Sequence, residues 1–268
     1  MTLAKGSKGC IYSNDIKPVE ESRRKGCGSM EGYIHSVETY GTLDGPGIRY
    51  IVFLQGCVLR CKFCHNPDTW RLNAGKKQTV HELMEDILKY KNFIKSGGMT
   101  LSGGEPLIQS DFAAELFKEC KKHGIHTAVD TSGAIPLSAC RHAIDEVDLV
   151  LLDIKSIDTS KARSLTGQGN ENALKLLDYL EQSKKEVWIR HVVVPGITET
   201  YDDIEKMAGY LSKYSVISRV DILPFHKMGE YKWEELNLKY ELSDVQPPKK
   251  ESILKIKDIF RKYNLNAV

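Results

Sequence analysis

The feature that most restricts the fold of this chain is a regular alternation of strand-like and helix-like stretches. Residues 48–54 form an apolar run, and 80–94 place Leu83, Ile87, Leu88 and then 90–94 at a helical period. A short run at 99–101 precedes a helical stretch from Asp111, an expected N-cap, to Lys122, closed by Gly124. Further strands are expected at 126–130, 147–153, 187–194 and 220–223, and further helices at 137–144, 171–182, 201–213 and 249–263. Six β-then-α units in succession imply a parallel sheet with right-handed crossovers. Curled, such an α/β sheet is a partial (β/α)6 barrel of the TIM type, whose chemistry sits at the C-terminal ends of the strands.

The unusual residues of the sequence gather at that end. Directly after the expected strands come Cys57, Cys61 and Cys64, then Ser102-Gly103-Gly104-Glu105, Asp130-Thr131, Asp153-Ile154-Lys155, Pro195-Gly196 and Pro224-Phe225-His226. The three cysteines are spaced C-x3-C-x2-C. Three thiolates can hold three corners of a cubic iron–sulfur cluster, whereas electron carriers usually use four. The fourth iron then keeps an open position, as catalytic metal sites do. Other readings of these residues exist. Cys61-Lys62-Phe63-Cys64-His65 spells C-x-x-C-H, the c-type haem attachment motif, but that leaves Cys57 idle. Cys57, Cys61, Cys64 and His65 are the donor set of a Cys3His zinc site, and Cys61 with Cys64 has the spacing of a thioredoxin-like redox pair.

Composition narrows the setting. The chain has 268 residues, 41% hydrophobic and 28% charged, with a net charge of +2. That is ordinary globular composition with no electrostatic case for a nucleic-acid partner. No apolar run is long enough to span a bilayer, so no membrane partner is expected. Seven cysteines, an odd number, without a signal-peptide pattern point to a reducing cytoplasm and not to a disulfide framework. Residues 1–29 are rich in Gly, Ser, Lys and Arg without periodicity and read as a loosely ordered extension, with the catalytic domain over 30–268. Cys10, Cys27, Cys120 and Cys140 read as free thiols.

With Phe63 preceding the third cysteine, the C-x3-C-x2-C motif resembles the signature of the radical S-adenosylmethionine superfamily. Asp44-Gly45-Pro46-Gly47-Ile48-Arg49, D-G-P-G-x-R upstream of that motif, resembles the signature of the glycyl radical enzyme activases within it. Cys64-His65-Asn66-Pro67-Asp68-Thr69-Trp70, the 187–196 stretch VWIRHVVVPG and Pro247-Pro248-Lys249-Lys250-Glu251 extend the likeness from about Met30 to the C terminus. No cysteine lies between Cys64 and Ser102, so the Cys-rich insert of several activases is absent, which favours the formate-lyase branch. Pro106 stands where that branch often has Ala.

The resemblance implies a 4Fe–4S cluster on Cys57, Cys61 and Cys64, and S-adenosyl-L-methionine bound beside it. It implies one-electron reduction by flavodoxin or ferredoxin, reductive cleavage of S-adenosylmethionine, and abstraction of a hydrogen atom from a Gly Cα of a glycyl radical enzyme, pyruvate formate-lyase in this branch. Another glycyl radical enzyme is the alternative partner, and the activase itself is expected to be a monomer. For the cofactor, Gly103, Gly104 and Glu105 are expected at the ammonium, and Lys155 at the carboxylate. Asp153, Ile154 and His226 are expected at the ribose, with Phe63, Cys64 and His65 beside the cluster and adenine. Asp130, Thr131, the Leu151 carbonyl and Asp153 are expected to hold K+ or Na+, because two carboxylates there repel unless neutralised. Arg190 is expected to face the lumen, where a buried charge needs an anionic partner; His191 then faces outward. Asp44, in a Gly-flanked loop expected at the barrel mouth, is expected to position the partner's glycine loop by accepting its N–H groups.

Overall fold

The computed structural model describes residues 30–268; the expected extension over 1–29, with Cys10 and Cys27, lies outside the described residues. An eight-stranded sheet runs in the order β3-β1-β2-β4-β5-β6-β7-β8. Its parallel body is β2 (Arg49–Leu54), β4 (Gly98–Gly103), β5 (Thr127–Thr131), β6 (Leu149–Asp153), β7 (Val187–Val193) and β8 (Ile217–Pro224). These are the six expected strands. Two further strands, β1 (Glu31–Gly41) and β3 (Lys76–Thr79), add an antiparallel flank to β2. Neither was expected from the sequence. β1 carries two register irregularities that break its alternation, and β3 is Lys-Lys-Gln-Thr, with no apolar signal at all.

The helices cover the outer face: α1 (Val80–Lys89), α2 (Ser110–Lys122), α3 (Leu137–Glu146), α4 (Thr159–Thr166), α5 (Glu171–Ser183), α6 (Tyr201–Leu211), α7 (Glu230–Glu235) and α8 (Lys250–Lys262). Asp111 is not the N-cap of α2. A 3-10 turn over Pro106–Gln109 runs straight into the helix, so Asp111 lies in its first turn, where its charge favours the helix dipole. The helix expected over 80–94 stops at Lys89, and the chain turns through Tyr90 to Gly97. α4 and α7 were not anticipated; at eight and six residues they are too short for a period to register. No helix among the described residues is long and apolar enough to cross a membrane.

The two faces of the parallel strands differ in chemistry, and this places the site. Outward residues such as Tyr50, Val52, Leu54, Met99, Leu101, Val129, Val150, Leu152 and Ile189 join one large core with the helices. The alternate residues face the lumen: Thr100, Ser102, Asp130, Asp153 and Arg190, over an apolar floor of Ala128, Leu149, Leu151 and Trp188. The sheet does not close. Its β8 edge is covered by the C-terminal residues, where Val220 N–H donates to Asn266 (2.9 Å) and Val268 N–H donates back to Val220 (3.0 Å).

Candidate active site

The cysteine loop leaves β2 at Gln55 and lies across the C-terminal ends of the strands. Cys57 and Cys61 are buried and Cys64 is partly buried. The first half of the loop is tied to α4, as Arg60 N–H donates to Thr166 (2.7 Å) and Lys62 N–H to Leu165 (3.0 Å). Burial pushes the Cys57 and Cys61 thiols up to about 12 and raises Cys64 too, against the Asn66 backbone and the Trp70 indole. Thiols in such surroundings become thiolates when a metal takes the proton's place. Among the described residues no three His, Cys, Asp or Glu side chains close on a point that one ion could occupy, as a Cys3His zinc site would require.

Below the loop, Gly103 and Gly104 bring the β4 backbone against it. Gly103 has φ +114°, and a Cβ there would meet the Leu54 nitrogen at 2.4 Å; one on Gly104 would meet the Gly56 carbonyl oxygen at 2.2 Å. Only glycine permits this approach. Glu105 departs from expectation. Its carboxylate is fully buried and accepts from Thr131 Oγ1 (2.6 Å), Ser132 N–H (3.0 Å), the Ser132 hydroxyl and Leu107 N–H (3.1 Å). With its oxygens spent inside the protein, Glu105 joins the β4 and β5 loops and does not offer its side chain to a ligand. Burial raises its pKa, and the hydrogen bonds from Ser132, Thr131 and Leu107 work against that rise.

Asp153 and Lys155 form an ion pair, and the Lys155 ammonium lies 4.9 Å from the centroid of the Phe63 ring. Burial works against the Lys155 charge, but Asp153, Cys61 and Asp130 outweigh it and hold Lys155 above its usual range. Ile154 is buried, its N–H bonded to the Arg190 carbonyl (3.0 Å). The rings of His65 and His226 stack at 4.0 Å, and His65 Nε2 bonds the His226 carbonyl (3.0 Å). Burial lowers both imidazole pKa values. Asp153 Oδ1, Arg190 Nε and His226 Nδ1 are buried without a hydrogen-bond partner. Unpartnered polar atoms from three separate strand ends are what a polar ligand in the lumen would satisfy.

Arg190 faces the lumen as expected and is paired. Its Nη1 donates to Asp44 Oδ1 (2.9 Å) and to Asp130 Oδ2 (2.8 Å), which also accepts from Ser102 (3.1 Å). The position of Asp44 is a correction. A loop that precedes a parallel strand necessarily sits at that strand's N-terminal end, and Thr100, near the start of β4, donates to the Asp44 carbonyl (2.6 Å). Asp44 therefore rises from the floor of the lumen and is not at the mouth formed by the C-terminal ends. The four groups expected around a monovalent cation are brought near one another, Asp130 pairing in register with Leu151 and Thr131 with Leu152. The Thr131 hydroxyl is spent on Glu105, so Asp153 Oδ1 is the free buried oxygen of the set. His191 turns away from the lumen but is buried, bonded through Nδ1 to the Ile154 carbonyl (2.8 Å).

Several participants gave no sequence signal. Arg49 is fully buried and holds the Asp44 loop by donating to Thr100, to the Pro46 carbonyl (3.2 Å) and to the Met99 carbonyl (2.6 Å). The D-G-P-G-x-R spacing was the only available pointer. Trp70, Trp233 and Tyr240 pack beside the cysteine loop in a second apolar cluster with Phe63 and Phe225. Nothing in residues 230–240 distinguishes them from a surface helix and its exit loop.

The comparisons with known proteins agree with this geometry. The radical SAM superfamily matches residues 51–211. A pyruvate formate-lyase-activating enzyme of Staphylococcus epidermidis is 44% identical over 247 residues, covering 89% of this chain and 97% of that protein. The crystal structure of a domain of pyruvate-formate lyase-activating enzyme from Bacteroides vulgatus superposes with a TM-score of 0.55 at 25% identity, covering 64% of this chain and 98% of that one. QueE from Escherichia coli shares the fold, with a TM-score of 0.55 at 15% identity over 88% of this chain and 92% of its own. An open, mostly parallel barrel with three cysteines at its C-terminal rim is thus a radical SAM protein, of a class that works with a 4Fe–4S cluster and S-adenosylmethionine. Within that class the chain belongs to the family of the pyruvate formate-lyase-activating enzymes.

The lumen charges make a test of their own. Burial raises the Asp130 pKa, Arg190 opposes this, and Asp44 and Asp153 reinforce it. A carboxyl whose folded pKa is raised is more protonated folded than unfolded, so its contribution falls as pH rises from the ordinary value of 3.8 through the folded one. Asp130→Asn lacks that slope. In urea unfolding its stability relative to the wild type should improve by about 1 kcal/mol or more between pH ~4 and ~7. A difference that stays flat with pH would rule out the raised carboxyl.

Proposed function

We infer that this chain activates pyruvate formate-lyase by generating a glycyl radical on it, through reductive cleavage of S-adenosylmethionine at a 4Fe–4S cluster. The observation that carries this reading is the loop of three cysteines, two buried and one partly buried, at the C-terminal end of a polar lumen, with Asp153, Arg190 and His226 each keeping a buried unpartnered polar atom. Cys57, Cys61 and Cys64 would ligate the cluster. When bound, such a cluster would supply the single electron for cleaving S-adenosylmethionine with loss of methionine, the chemistry that hydrogen-atom abstraction needs. The Gly103–Gly104 backbone would receive the ammonium, Lys155 the carboxylate, and Asp153 and His226 the ribose, while His65 and Phe63 flank the cofactor. The electron donor is proposed to be flavodoxin or ferredoxin, and the activase a cytoplasmic monomer.

The direct test is glycyl radical formation, seen by EPR, on pyruvate formate-lyase incubated with the protein, S-adenosylmethionine and a reductant. Cys57→Ala, Cys61→Ala and Cys64→Ala should each abolish it along with the brown iron–sulfur absorbance. Cys120→Ala, buried in the helix core, should keep both. Equal loss in Cys120→Ala would refute the ligand assignment.

Asp44 is proposed to position the partner's glycine loop, with Arg190 holding its carboxylate in the lumen. Asp44→Ala should lower glycyl radical formation about tenfold or more while uncoupled cleavage of S-adenosylmethionine stays within about twofold. Parallel loss of both activities would remove the substrate role. A monovalent cation is proposed at Asp153 Oδ1, the Leu151 carbonyl, Asp130 and Thr131. Activity should then rise on adding K+ or Na+ to desalted enzyme, and Asp153→Asn should lose that response. A salt-indifferent wild type would dismiss the cation.

A further inference from the structure

α7 contacts the cysteine loop across sequence separations of 164 to 169 residues and grips its second half at successive points. The Trp233 indole N–H donates to the Cys64 carbonyl (2.9 Å). Lys232 Nζ donates to Asn66 Oδ1 (2.9 Å) and to Asp68 Oδ2 (2.9 Å), which also bonds His35 Nε2 (3.0 Å). Gly229 packs so closely on the loop that a Cβ there would meet the His65 carbonyl oxygen at 2.5 Å. Trp233 is itself fixed, at 6% exposure, between the Trp70 ring (centroids 5.1 Å, edge-on) and the Tyr240 ring (5.2 Å). Trp70 and Cys64 in turn pack against the same two apolar clusters. Within the loop, Cys64 N–H donates to the Cys61 carbonyl (3.1 Å).

We propose that Trp233 is a positioning residue for Cys64: its N–H fixes the Cys64–His65 peptide, and its ring holds Trp70 beside Cys64. The α4 contacts at Arg60 and Lys62 govern only the first half of the loop. Among the described residues the Cys64 backbone has no other hydrogen bond outside the loop, so α7 is its anchor to the rest of the fold. Lys232 assists by holding Asn66 and Asp68, the next turn of the loop. A short helix otherwise gains little by spending an indole N–H on a single loop carbonyl, and a buried carbonyl left without its donor would move to find water. This inference rests on the reading of Cys64 as a cluster ligand, but its test does not need the cluster.

The test uses Trp233→Phe, which keeps a ring between Trp70 and Tyr240 and deletes the N–H. Iron-free protein is labelled with iodoacetamide and the modified cysteines are quantified by mass spectrometry. Cys64 should react on the order of tenfold faster than in the wild type. Cys120 and Cys140, both fully buried far from the loop, should not change and so report the integrity of the fold. Lys232→Met, which leaves the indole in place, should raise Cys64 labelling by a smaller factor and carries the test alone should Trp233→Phe not fold. In reconstituted protein, iron release to a ferrous chelator should quicken and the EPR signal of the reduced cluster should shift. Unchanged Cys64 labelling in both variants, or a rise shared with Cys120 and Cys140, would overturn the proposal. A protein that takes up no iron while Cys64 labelling responds selectively would overturn the cluster reading and leave this one standing.

Discussion

The lumen depends on one guanidinium. Asp44, Asp130 and Asp153 bring three carboxylates into the lumen, and Lys155 makes a direct ion pair with the last of them. Without Arg190 the pair Asp44 and Asp130 would have to be protonated or the floor would open, since an unmatched buried charge costs about 3–5 kcal/mol. Arg190 suits the task because it stays charged when buried and can serve two carboxylates from one nitrogen. It is placed there by strand alternation: Ile189 and His191 point to the helix layer, so the residue between them must enter the lumen. A sequence-local rule thereby sets the charge balance of a site assembled from the loop before β2 and from β5, β6 and β7.

Much of this architecture was visible in the sequence because parallel strands buried on both faces are continuous apolar runs. The six such strands were located by that signal, and the rule that chemistry gathers at their C-terminal ends led to Cys57, Gly103, Asp153 and His226. The antiparallel flank was not legible. β3 is charged and short, and β1 alternates imperfectly around its bulges, so neither resembles a core strand. The error over Asp44 has a different cause. The loop was expected at the barrel mouth because chain direction, which fixes a loop preceding a parallel strand to the opposite end of the barrel, was not applied. Glu105 shows a third kind of miss. Its place in the Gly-Gly-Glu motif suggested a ligand, and only the side-chain contacts reveal that four donors from neighbouring loops already consume it.

The glycines divide between those two ends for one physical reason. Gly103 and Gly104 let β4 approach the cysteine loop; Gly47 and Gly97 let the Asp44 loop and the entry to β4 pass each other, with a Cβ on Gly97 meeting the Ile48 oxygen at 2.0 Å. At both ends of the lumen, main chain therefore comes close to main chain beside the side chains that line it. Main chain is a rigid wall that exposes carbonyls and N–H groups to whatever enters, while side chains would fill the space. A barrel that must admit both a charged cofactor and the backbone of a protein substrate is better served by such walls.

The cysteine loop itself is not self-supporting. Its backbone is tied to α4 at residues 165 and 166 and to α7 at 233, and its His65 side chain to the carbonyl of His226 shortly after β8, each more than 100 positions away in sequence. Contacts of that separation form late in folding because each closes a long stretch of chain. The three thiols are thus brought into order only once β7, β8 and α7 are in place. A polynuclear cluster bound to them would stabilise the same closed arrangement, since a ligand that binds only the ordered loop shifts the balance toward it. Fold completion and metal loading are then two halves of one equilibrium, and α7, though only six residues long, sits at the point where they meet.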